Sequence, residues 1–358
     1  MEAPAKIISF FCLLLVLQAT RVESRKNYWF NMFNFGDSFA DTGNTPKSGD
    51  RLSRAWHYPF GISYKDYNGN PGGNKPTGRF SDYMIQPDLI ARMLRIHSAP
   101  PAYKQSGYLC HPYGMTFAAA GASVFEAPEN NGVFVPTLSQ QINKFQDLLR
   151  TGFISSTRLE GAVLLVAISA GNDYLPKIHL MDESISSIAP YVENVTSEIA
   201  RNVERLRNLG AKKILLNNMP PLGCTPRHAR LSNYAGCDGH GNFLASVHND
   251  NLQVKLGINT DVHIVDLYSA FTNITSQLTN DTASPVSDQF TTKLAPACEA
   301  KDPKGYCGLR DDESNYLYTL DADQVEKHFY WDDMHPTSAG WEAVMKQLEE
   351  PIKYFLDH

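Results

Sequence analysis

The stretch YWFNMFNFGDS, residues 28–38, joins an apolar run to a tight Gly-Asp-Ser turn. A short apolar run that ends in a turn is typical of a strand buried on both faces of a sheet. Similar runs recur along the chain, at Met115 to Ala119, Ala162 to Ile168, Lys213 to Asn217 and Val262 to Leu267. Helical patterns lie between them, and this alternation predicts an α/β fold with a central parallel sheet.

The clearest helical pattern runs from Ile188 to Leu209. Apolar residues recur there every three or four positions and would form one face of a helix: Val192, Val195, Ile199, Val203 and Leu206. Gly210 follows as a helix stop. Strand, helix and strand in this order form a parallel unit, and ligands bind such sheets beyond the carboxyl ends of the strands.

Ser38 follows the first predicted strand directly, and its turn is expected to open a helix. A serine at that point lies beside free backbone N–H groups, which can stabilise an oxyanion. Near the other end of the chain, Asp332 precedes His335 by three residues. These residue types complete a catalytic triad, in which Ser38 is the nucleophile, His335 the base and Asp332 the orienting carboxylate.

Two further blocks carry groups suited to an oxyanion hole. Gly121 closes the block GMTFAAAG at 114–121 and offers a backbone N–H, while Asn172 in a later block offers a side-chain amide. Like Ser38, both residues come directly after a predicted strand. Because the carboxyl ends of parallel strands share one edge, we expect Ser38, Gly121 and Asn172 to meet there and to form the oxyanion hole.

Four blocks in this chain resemble, in their order, the GDSL esterase/lipase family, also called SGNH hydrolases, and most closely its secreted plant branch. They are the serine block at 35–44, the glycine block at 114–121, the Gly-Asn-Asp block at 171–173 and the histidine block at 331–337. Smaller segments agree with that branch: Thr77 to Asp82, Leu138 to Ile142, Pro221 to Cys224 and His248-Asn249. The resemblance runs from Phe33 to Trp341. One departure is Thr116, where the family usually has asparagine, at a position not expected to be catalytic.

The resemblance implies a three-layer α/β/α sandwich, flavodoxin-like, formed by a single SGNH hydrolase domain over residues 25–358. It implies a serine esterase that forms an acyl-enzyme and needs no cofactor. It favours Asp332 over Asp333 in the triad, because the family places the carboxylate three residues before the histidine. The substrates it implies are esters: fatty-acyl esters, acetylated cell-wall polysaccharides or smaller plant metabolites.

Two long segments are candidates for the walls of the substrate site, Thr45 to Lys75 and Ser284 to Asp323. Tolerated surface insertions are the alternative interpretation. The sequence has no long exposed apolar helix of the kind expected of an interface-activated lipase. Small-acyl and acetyl esters therefore stand beside lipids as expected substrates.

Residues 1–24 form a signal-peptide pattern, with a lysine before the apolar run Ile7 to Leu17 and small and polar residues after it. That run is too short to span a bilayer, and no later stretch approaches transmembrane length. We therefore expect secretion to the cell wall or residence in the Golgi lumen, with glycosylation sequons at Asn194, Asn273 and Asn280. The net charge of −6 argues against nucleic-acid binding.

The cysteines that follow the signal segment indicate disulfides, since the expected compartment is oxidising. We expect two short-range pairs and one unpaired cysteine: Cys224–Cys237, Cys298–Cys307 and Cys110. A zinc site of Cys224, Cys237 and His240 is an alternative, but the usual paired ligand spacing is missing. No metal is therefore expected.

Two alternatives to this mechanism stay open. Ser169, in AISAG at 167–171, follows an apolar strand and imitates the nucleophile elbow of α/β-hydrolases, with alanine for the first glycine. An aromatic-rich secreted glycoprotein could also bind cell-wall carbohydrate without turnover. Taken singly, Ser38 and Asn172 are also ordinary helix caps and Gly121 a turn glycine. Histidines without a partner pattern are expected to be structural or surface residues: His57, His111, His240 and His248.

Overall fold

The computed structural model describes residues 31–47, 51–66, 68–106, 111–125, 133–177, 184–276 and 287–358. Its centre is a five-stranded parallel sheet in the order β2-β1-β3-β4-β5. The strands are β1 Asn31–Gly36, β2 Gly114–Thr116, β3 Ala162–Ala167, β4 Lys213–Asn217 and β5 Val262–Val265. This order is that of a flavodoxin-like sheet, so the predicted α/β fold is confirmed.

The helices that connect the strands follow in chain order. They are α1 Gln86–Met93, α2 Leu138–Arg150, α3 Ser156–Glu160, α4 Gly171–Tyr174, α5 Ile185–Asn208, α6 Pro226–Ala229, α7 Gly239–Leu256, α8 Leu267–Thr275 and α9 Ser338–Asp357. The long helix predicted from the apolar spacing is α5, which begins after the capping side chain of Ser184 and ends two residues before Gly210. Local sequence therefore sets both of its ends.

Two hydrophobic layers separate the sheet from its helices. On one face, α2, α5 and α7 pack against strand side chains such as Phe35 and Leu164. On the other face, α1, α8 and α9 pack against their strand neighbours, such as Met32 and Val163. Successive residues of a strand point to opposite faces. The apolar runs of β1 and β3 are therefore buried on both sides, and a three-layer sandwich results.

The helix expected after Ser38 does not form, because the chain makes one turn only. The N–H of Asp41 donates to the carbonyl oxygen of Asp37 at 3.0 Å. The Asp41 carboxylate then accepts from the N–H groups of Gly43 at 2.7 Å and Asn44 at 2.6 Å. An aspartate side chain that takes up nearby backbone donors competes with helix continuation, so Ser38 lies in an isolated turn.

The two long segments expected as loops are partly ordered. Within Thr45 to Lys75, a 3₁₀ helix spans Arg51–Trp56. Within Ser284 to Asp323, strands β6 Cys298–Ala300 and β7 Tyr318–Leu320 pair in an antiparallel ribbon. Residues 28–30 and 284–286, at the ends of two predicted segments, lie outside the described residues.

Both predicted disulfides are confirmed. Cys224 is bonded to Cys237 with the two Cα atoms 4.3 Å apart, and Cys298 to Cys307 with a Cα separation of 5.5 Å. A zinc site that uses Cys224 and Cys237 is therefore wrong, because both sulfur atoms are consumed in a bond. Cys110 lies outside the described residues.

The described residues also bear on the expected modification sites. Asn194 on α5 and Asn273 on α8 are exposed, whereas Asn280 and the signal segment lie outside the described ranges. Among the helices of the described part of the chain, none combines the length and the apolar character needed to cross a bilayer.

Candidate active site

The turn that carries Ser38 begins where β1 meets β3 edge to edge. Gly36 has φ +130°, and a Cβ atom there would collide with the carbonyl oxygen of Ala167. Only glycine allows this close approach of two backbones. The next residue, Asp37, is buried and donates its N–H to the same carbonyl oxygen at 3.1 Å. Ser38 follows at the carboxyl edge of the sheet with a partly exposed side chain.

The sequence-predicted serine, histidine and aspartate come together although 297 positions separate Ser38 from His335. The Nε2 atom of His335 lies 2.7 Å from Oγ of Ser38, and its Nδ1 atom lies 2.7 Å from Oδ1 of Asp332. Both contacts are of hydrogen-bond length. Asp332 is 1% exposed and His335 4% exposed, whereas Ser38 is partly exposed.

The carboxylate of Asp332 is held at both oxygens. Oδ1 accepts from the backbone N–H groups of Met334 and His335 as well as from the His335 ring. Oδ2 lies 3.3 Å from Nη2 of Arg54. Burial alone would raise the pKa of Asp332, but attraction to His335 and Arg54 holds that pKa well below its usual range. Asp332 is therefore ionised at neutral pH.

Asp333, the neighbouring candidate, pairs most closely with two other arginines. Its Oδ2 atom lies 2.9 Å from Nη2 of Arg51 and 3.8 Å from Nη1 of Arg227, and its Oδ1 atom lies 3.9 Å from Nη2 of Arg54. Its backbone carbonyl accepts the N–H of Arg227 at 2.9 Å. Its carboxylate thus forms a partly exposed ion-pair cluster beside the histidine block and makes no contact with the His335 ring among the described hydrogen bonds.

The glycine block and the Gly-Asn-Asp block meet at the same edge. The N–H of Ala119 donates to the carbonyl of Gly36 at 3.0 Å, which carries the chain after β2 alongside the end of β1. Gly121 then turns with φ +82°. The Nδ2 atom of Asn172 donates to the carbonyl of Ala122 at 2.8 Å, so the amide is fixed beside the Gly121 turn.

Donors remain available at this edge. Across the described residues, the backbone N–H groups of Ser38 and Gly121 reach no protein acceptor. Asn172 uses its Nδ2 atom once, and an amide nitrogen carries two hydrogens. Three N–H groups at one edge, none of them satisfied by the protein, suit a ligand oxygen that carries negative charge.

Two buried aspartates, Asp41 and Asp173, hold these turns through hydrogen bonds. Sequence patterns alone assigned neither of them a role. Asp173 accepts from the N–H groups of Val124 and Phe125, and Asp41 accepts from that of Ala120 at 2.8 Å. Burial raises the pKa of each carboxyl to about 6, against the opposing effect of these N–H donors. Each aspartate ties the glycine block to a neighbouring block.

Gln141 is a further residue whose role the sequence did not reveal. Its Oε1 atom accepts from the N–H of Gly36 at 2.8 Å, and its Nε2 atom donates to the carbonyl of Gly36 at 2.9 Å. This side chain on α2 therefore completes the backbone pairing at the end of β1. Its segment was noted only as a family feature, and only the hydrogen bonds show what it does.

Ser169, the alternative nucleophile, has a different environment. Its Oγ atom donates to Oδ2 of Asp37 at 2.8 Å, and its backbone N–H donates to the same oxygen at 2.9 Å. Burial raises the pKa of Asp37, while the bonds from Phe39 and Ser169 oppose that rise. Ser169 thus bonds to a carboxylate, and within the described part of the chain it makes no hydrogen bond to a histidine ring.

The remaining histidines lie apart from this edge. The ring of His248 is buried and bonds the hydroxyl of Tyr174 at 2.8 Å, and burial lowers its pKa to about 3. His57 is exposed and contacts the carbonyl of Lys47. Within the described ranges, no group of three or more His, Cys, Asp or Glu side chains is arranged to hold a metal ion.

Comparison with known proteins agrees with this geometry. Residues 32–348 match the family model described as GDSL-like Lipase/Acylhydrolase. Three proteins of Arabidopsis thaliana, each named a GDSL esterase/lipase, are similar over nearly their whole lengths. One is 33% identical with 96% of both chains covered, the second 32% with 99% covered, and the third 33% with 95% covered.

Proposed function

Because the chain belongs to the GDSL-like lipase/acylhydrolase family and is a carboxylic ester hydrolase, we propose that it works through a triad of Ser38, His335 and Asp332. The observation that carries this proposal is the unbroken pair of 2.7 Å contacts from Ser38 through His335 to Asp332. The two nitrogens of one imidazole ring take part, and each has a single partner that suits its role.

The geometry supports the following steps. The N–H at Nδ1 of His335 donates a hydrogen bond to ionised Asp332 and keeps its proton, so the unprotonated Nε2 can accept the proton of the Ser38 hydroxyl. Oγ of Ser38 attacks the ester carbonyl as that proton leaves, and Asp332 stabilises the imidazolium that forms. The imidazolium then protonates the departing alcohol. A water molecule releases the acyl group by the same steps in reverse order.

The oxyanion formed in both steps would be bound by the N–H groups of Ser38 and Gly121 and by the side-chain amide of Asn172. Supporting this role, the two backbone N–H groups have no protein acceptor among the described residues. Asn172 is held by its bond to Ala122. Donors that are fixed before the reaction need no reorganisation when charge develops, and this is the main source of their catalytic effect.

We propose a secretory-pathway enzyme that acts on small acyl or acetyl esters, lipid esters or acetylated cell-wall polysaccharide. The signal-peptide pattern of residues 1–24 supports secretion to the cell wall or residence in the Golgi lumen. The two disulfides agree with an oxidising compartment. The exposed sequon residues Asn194 and Asn273 are proposed glycosylation sites, together with Asn280.

Hydrolysis of p-nitrophenyl esters from acetate to palmitate tests this function. We expect the wild-type protein to hydrolyse part of the series and the Ser38→Ala variant to lose activity. The preferred chain length would separate an acetylesterase from a lipase, with acetylated xylan as a polysaccharide substrate. A Ser169→Ala variant is the matched control, because Ser169 lies at the same edge but bonds to Asp37.

Two outcomes would contradict the proposal. Activity that survives in Ser38→Ala and disappears in Ser169→Ala would make Ser169 the nucleophile. A wild-type protein that binds xylan but hydrolyses no ester in the series would favour the carbohydrate-binding alternative. The names of the three Arabidopsis relatives favour catalysis over that alternative.

A further inference from the structure

Arg54 is buried behind the candidate triad, at a place that the sequence did not single out. It lies on the 3₁₀ helix Arg51–Trp56, and its side chain is 6% exposed. Nη2 lies 3.3 Å from Oδ2 of Asp332, and Nη1 donates to the carbonyl of Arg51 at 2.9 Å. A buried guanidinium is costly unless it is paired, and Asp332 is its closest anionic partner here.

Aromatic rings pack close to the Arg54 guanidinium. Its Cζ atom lies 4.8 Å from the ring centroid of Phe80 and 5.8 Å from that of Tyr306. The Phe80 ring in turn lies 5.1 Å from the ring of His335. Phe80 is thus shared by Arg54 and His335, and the packing leaves the guanidinium little freedom to move.

The two carboxylate oxygens of Asp332 accept from different groups. Oδ1 is taken by His335 and the backbone of the histidine block, whereas Oδ2 faces Arg54. Without Arg54, Oδ2 would be buried with no donor, and only the donors on Oδ1 would hold the last torsion of Asp332 in place. A positive charge on Oδ2 also weakens the pull of Asp332 on a proton at His335.

We propose that Arg54 is a positioning residue for the reaction: it holds Asp332 in the orientation that His335 requires and limits how strongly Asp332 favours the imidazolium. This inference rests on the proposed triad. The other charged groups near His335 are Asp37, which interacts with it electrostatically, and Asp333. The Asp333 carboxylate pairs with Arg51 at 2.9 Å and also lies 3.8 Å from Arg227 and 3.9 Å from Arg54. Arg54 is therefore the cation closest to the proton relay among the described residues.

The pH dependence of kcat/KM distinguishes this role from a structural one. In Arg54→Gln the positive charge is lost, so the acid limb of the profile is expected to move to higher pH by roughly half to one unit. In Arg54→Lys the charge stays but the planar contact is lost. That variant should keep the acid limb in place and lose kcat by about tenfold or more, since small displacements of catalytic groups are costly.

Arg79→Gln is the matched control. Arg79 is also largely buried and bonds a buried aspartate, Asp88, through Nε at 2.8 Å and Nη2 at 2.9 Å. Losing it should lower the melting temperature without moving the acid limb. The same profile is measured with a fluorophosphonate, which labels an activated serine without any assumption about the natural ester.

An acid limb that stays in place in Arg54→Gln, or an unchanged kcat in Arg54→Lys, would overturn the role of Arg54. If Arg54→Gln does not fold, the kcat of Arg54→Lys decides. Failure of the proposed function gives a different pattern, because a wild-type protein that neither hydrolyses esters nor is labelled has no triad to position. If the wild-type protein is active and the acid limb of Arg54→Gln stays in place, the proposed triad stands and only the role of Arg54 is contradicted.

Discussion

Asp332 and Asp333 are neighbours in the chain and share Arg54, yet their other partners differ. Asp332 contacts the His335 ring and lies 3.3 Å from Arg54, whereas Asp333 pairs with Arg51 and Arg227 and lies 3.9 Å from Arg54. The spacing found in the family favours Asp332, and the contacts give a physical reason. A buried carboxylate on the histidine ring can stabilise a developing imidazolium, whereas Asp333 makes no contact with that ring among the described residues.

Substituting these two aspartates separately tests that assignment. We expect Asp332→Asn to lower kcat by about 10⁴-fold, because an amide at this position favours the wrong tautomer of the histidine. Asp333→Asn removes a partly exposed ion pair and should lower kcat by less than about tenfold. Kinetics on one p-nitrophenyl ester measure both. A larger loss in Asp333→Asn than in Asp332→Asn would refute the assignment.

Gly36 adopts a backbone conformation at the start of the Ser38 turn that other residues rarely adopt. Alanine there would meet the carbonyl oxygen of Ala167 at a φ of +130°. We expect Gly36→Ala to lower the free energy of unfolding by about 3 kcal/mol or more. Gly236→Ala is the control, since a Cβ there meets nothing within 4 Å, and it should change stability by less than about 0.5 kcal/mol. Equal stability of the two variants in urea titrations would count against this account.

The one-turn helix α4 carries Asn172, the side chain proposed for the oxyanion hole. The amide of Asn172 is held by the carbonyl of Ala122, and Asp173 in the same helix holds the N–H groups of Val124 and Phe125. The two residues therefore fasten α4 to the Gly121 turn. This coupling predicts that the oxyanion donors move together when either block is disturbed.

Removing the Asn172 amide tests the proposed oxyanion hole. We expect Asn172→Ala to lower kcat by about 10²-fold or more with a small change in KM, because the donor acts on the transition state. Asn251→Ala is the control, since the Asn251 amide also bonds a backbone carbonyl, that of Val247 on α7. The idea fails if both variants retain full kcat, or if Asn172→Ala raises KM alone.

Elements that depend on local patterns could be predicted, and contacts between distant segments could not. The apolar composition of two short segments predicted the buried strands β1 and β3, and the spacing of apolar residues predicted helix α5. The helix expected after Ser38 failed because Asp41 captures backbone donors two and three residues later. Arg54 was missed because its partner lies 278 positions away, and no local pattern reports such a pairing.

Buried aspartates with opposite pKa shifts determine how the stability of the folded protein changes with pH. Burial raises the pKa of Asp37 and Asp82, and it raises that of Asp41 and Asp173 to about 6. The folded state holds those protons more tightly than the unfolded chain, so this stabilisation is present below pH 3.8 and is lost as the pH rises through 6.

Two other aspartates act in the opposite direction. Burial would raise the pKa of Asp88 and Asp332, but pairing with Arg79 in one case and with His335 and Arg54 in the other lowers it. Their contribution is present above pH 3.8 and is lost as the pH falls below that value. On these contributions we therefore expect stability to peak at about pH 4 and to decrease as the pH rises through 6. Melting temperatures from pH 2 to 8 measure this, and a steady fall in stability from pH 7 to pH 4 would be inconsistent with it.

We propose Ser38 as the nucleophile of a single assembled active site. A fluorophosphonate forms a covalent adduct with an activated serine, so labelling of the purified protein, digestion and mass spectrometry identify the nucleophile. We expect one phosphonylated peptide carrying the adduct on Ser38, and loss of labelling in His335→Ala. An adduct on Ser169, or labelling of Ser38 that does not depend on His335, would contradict it.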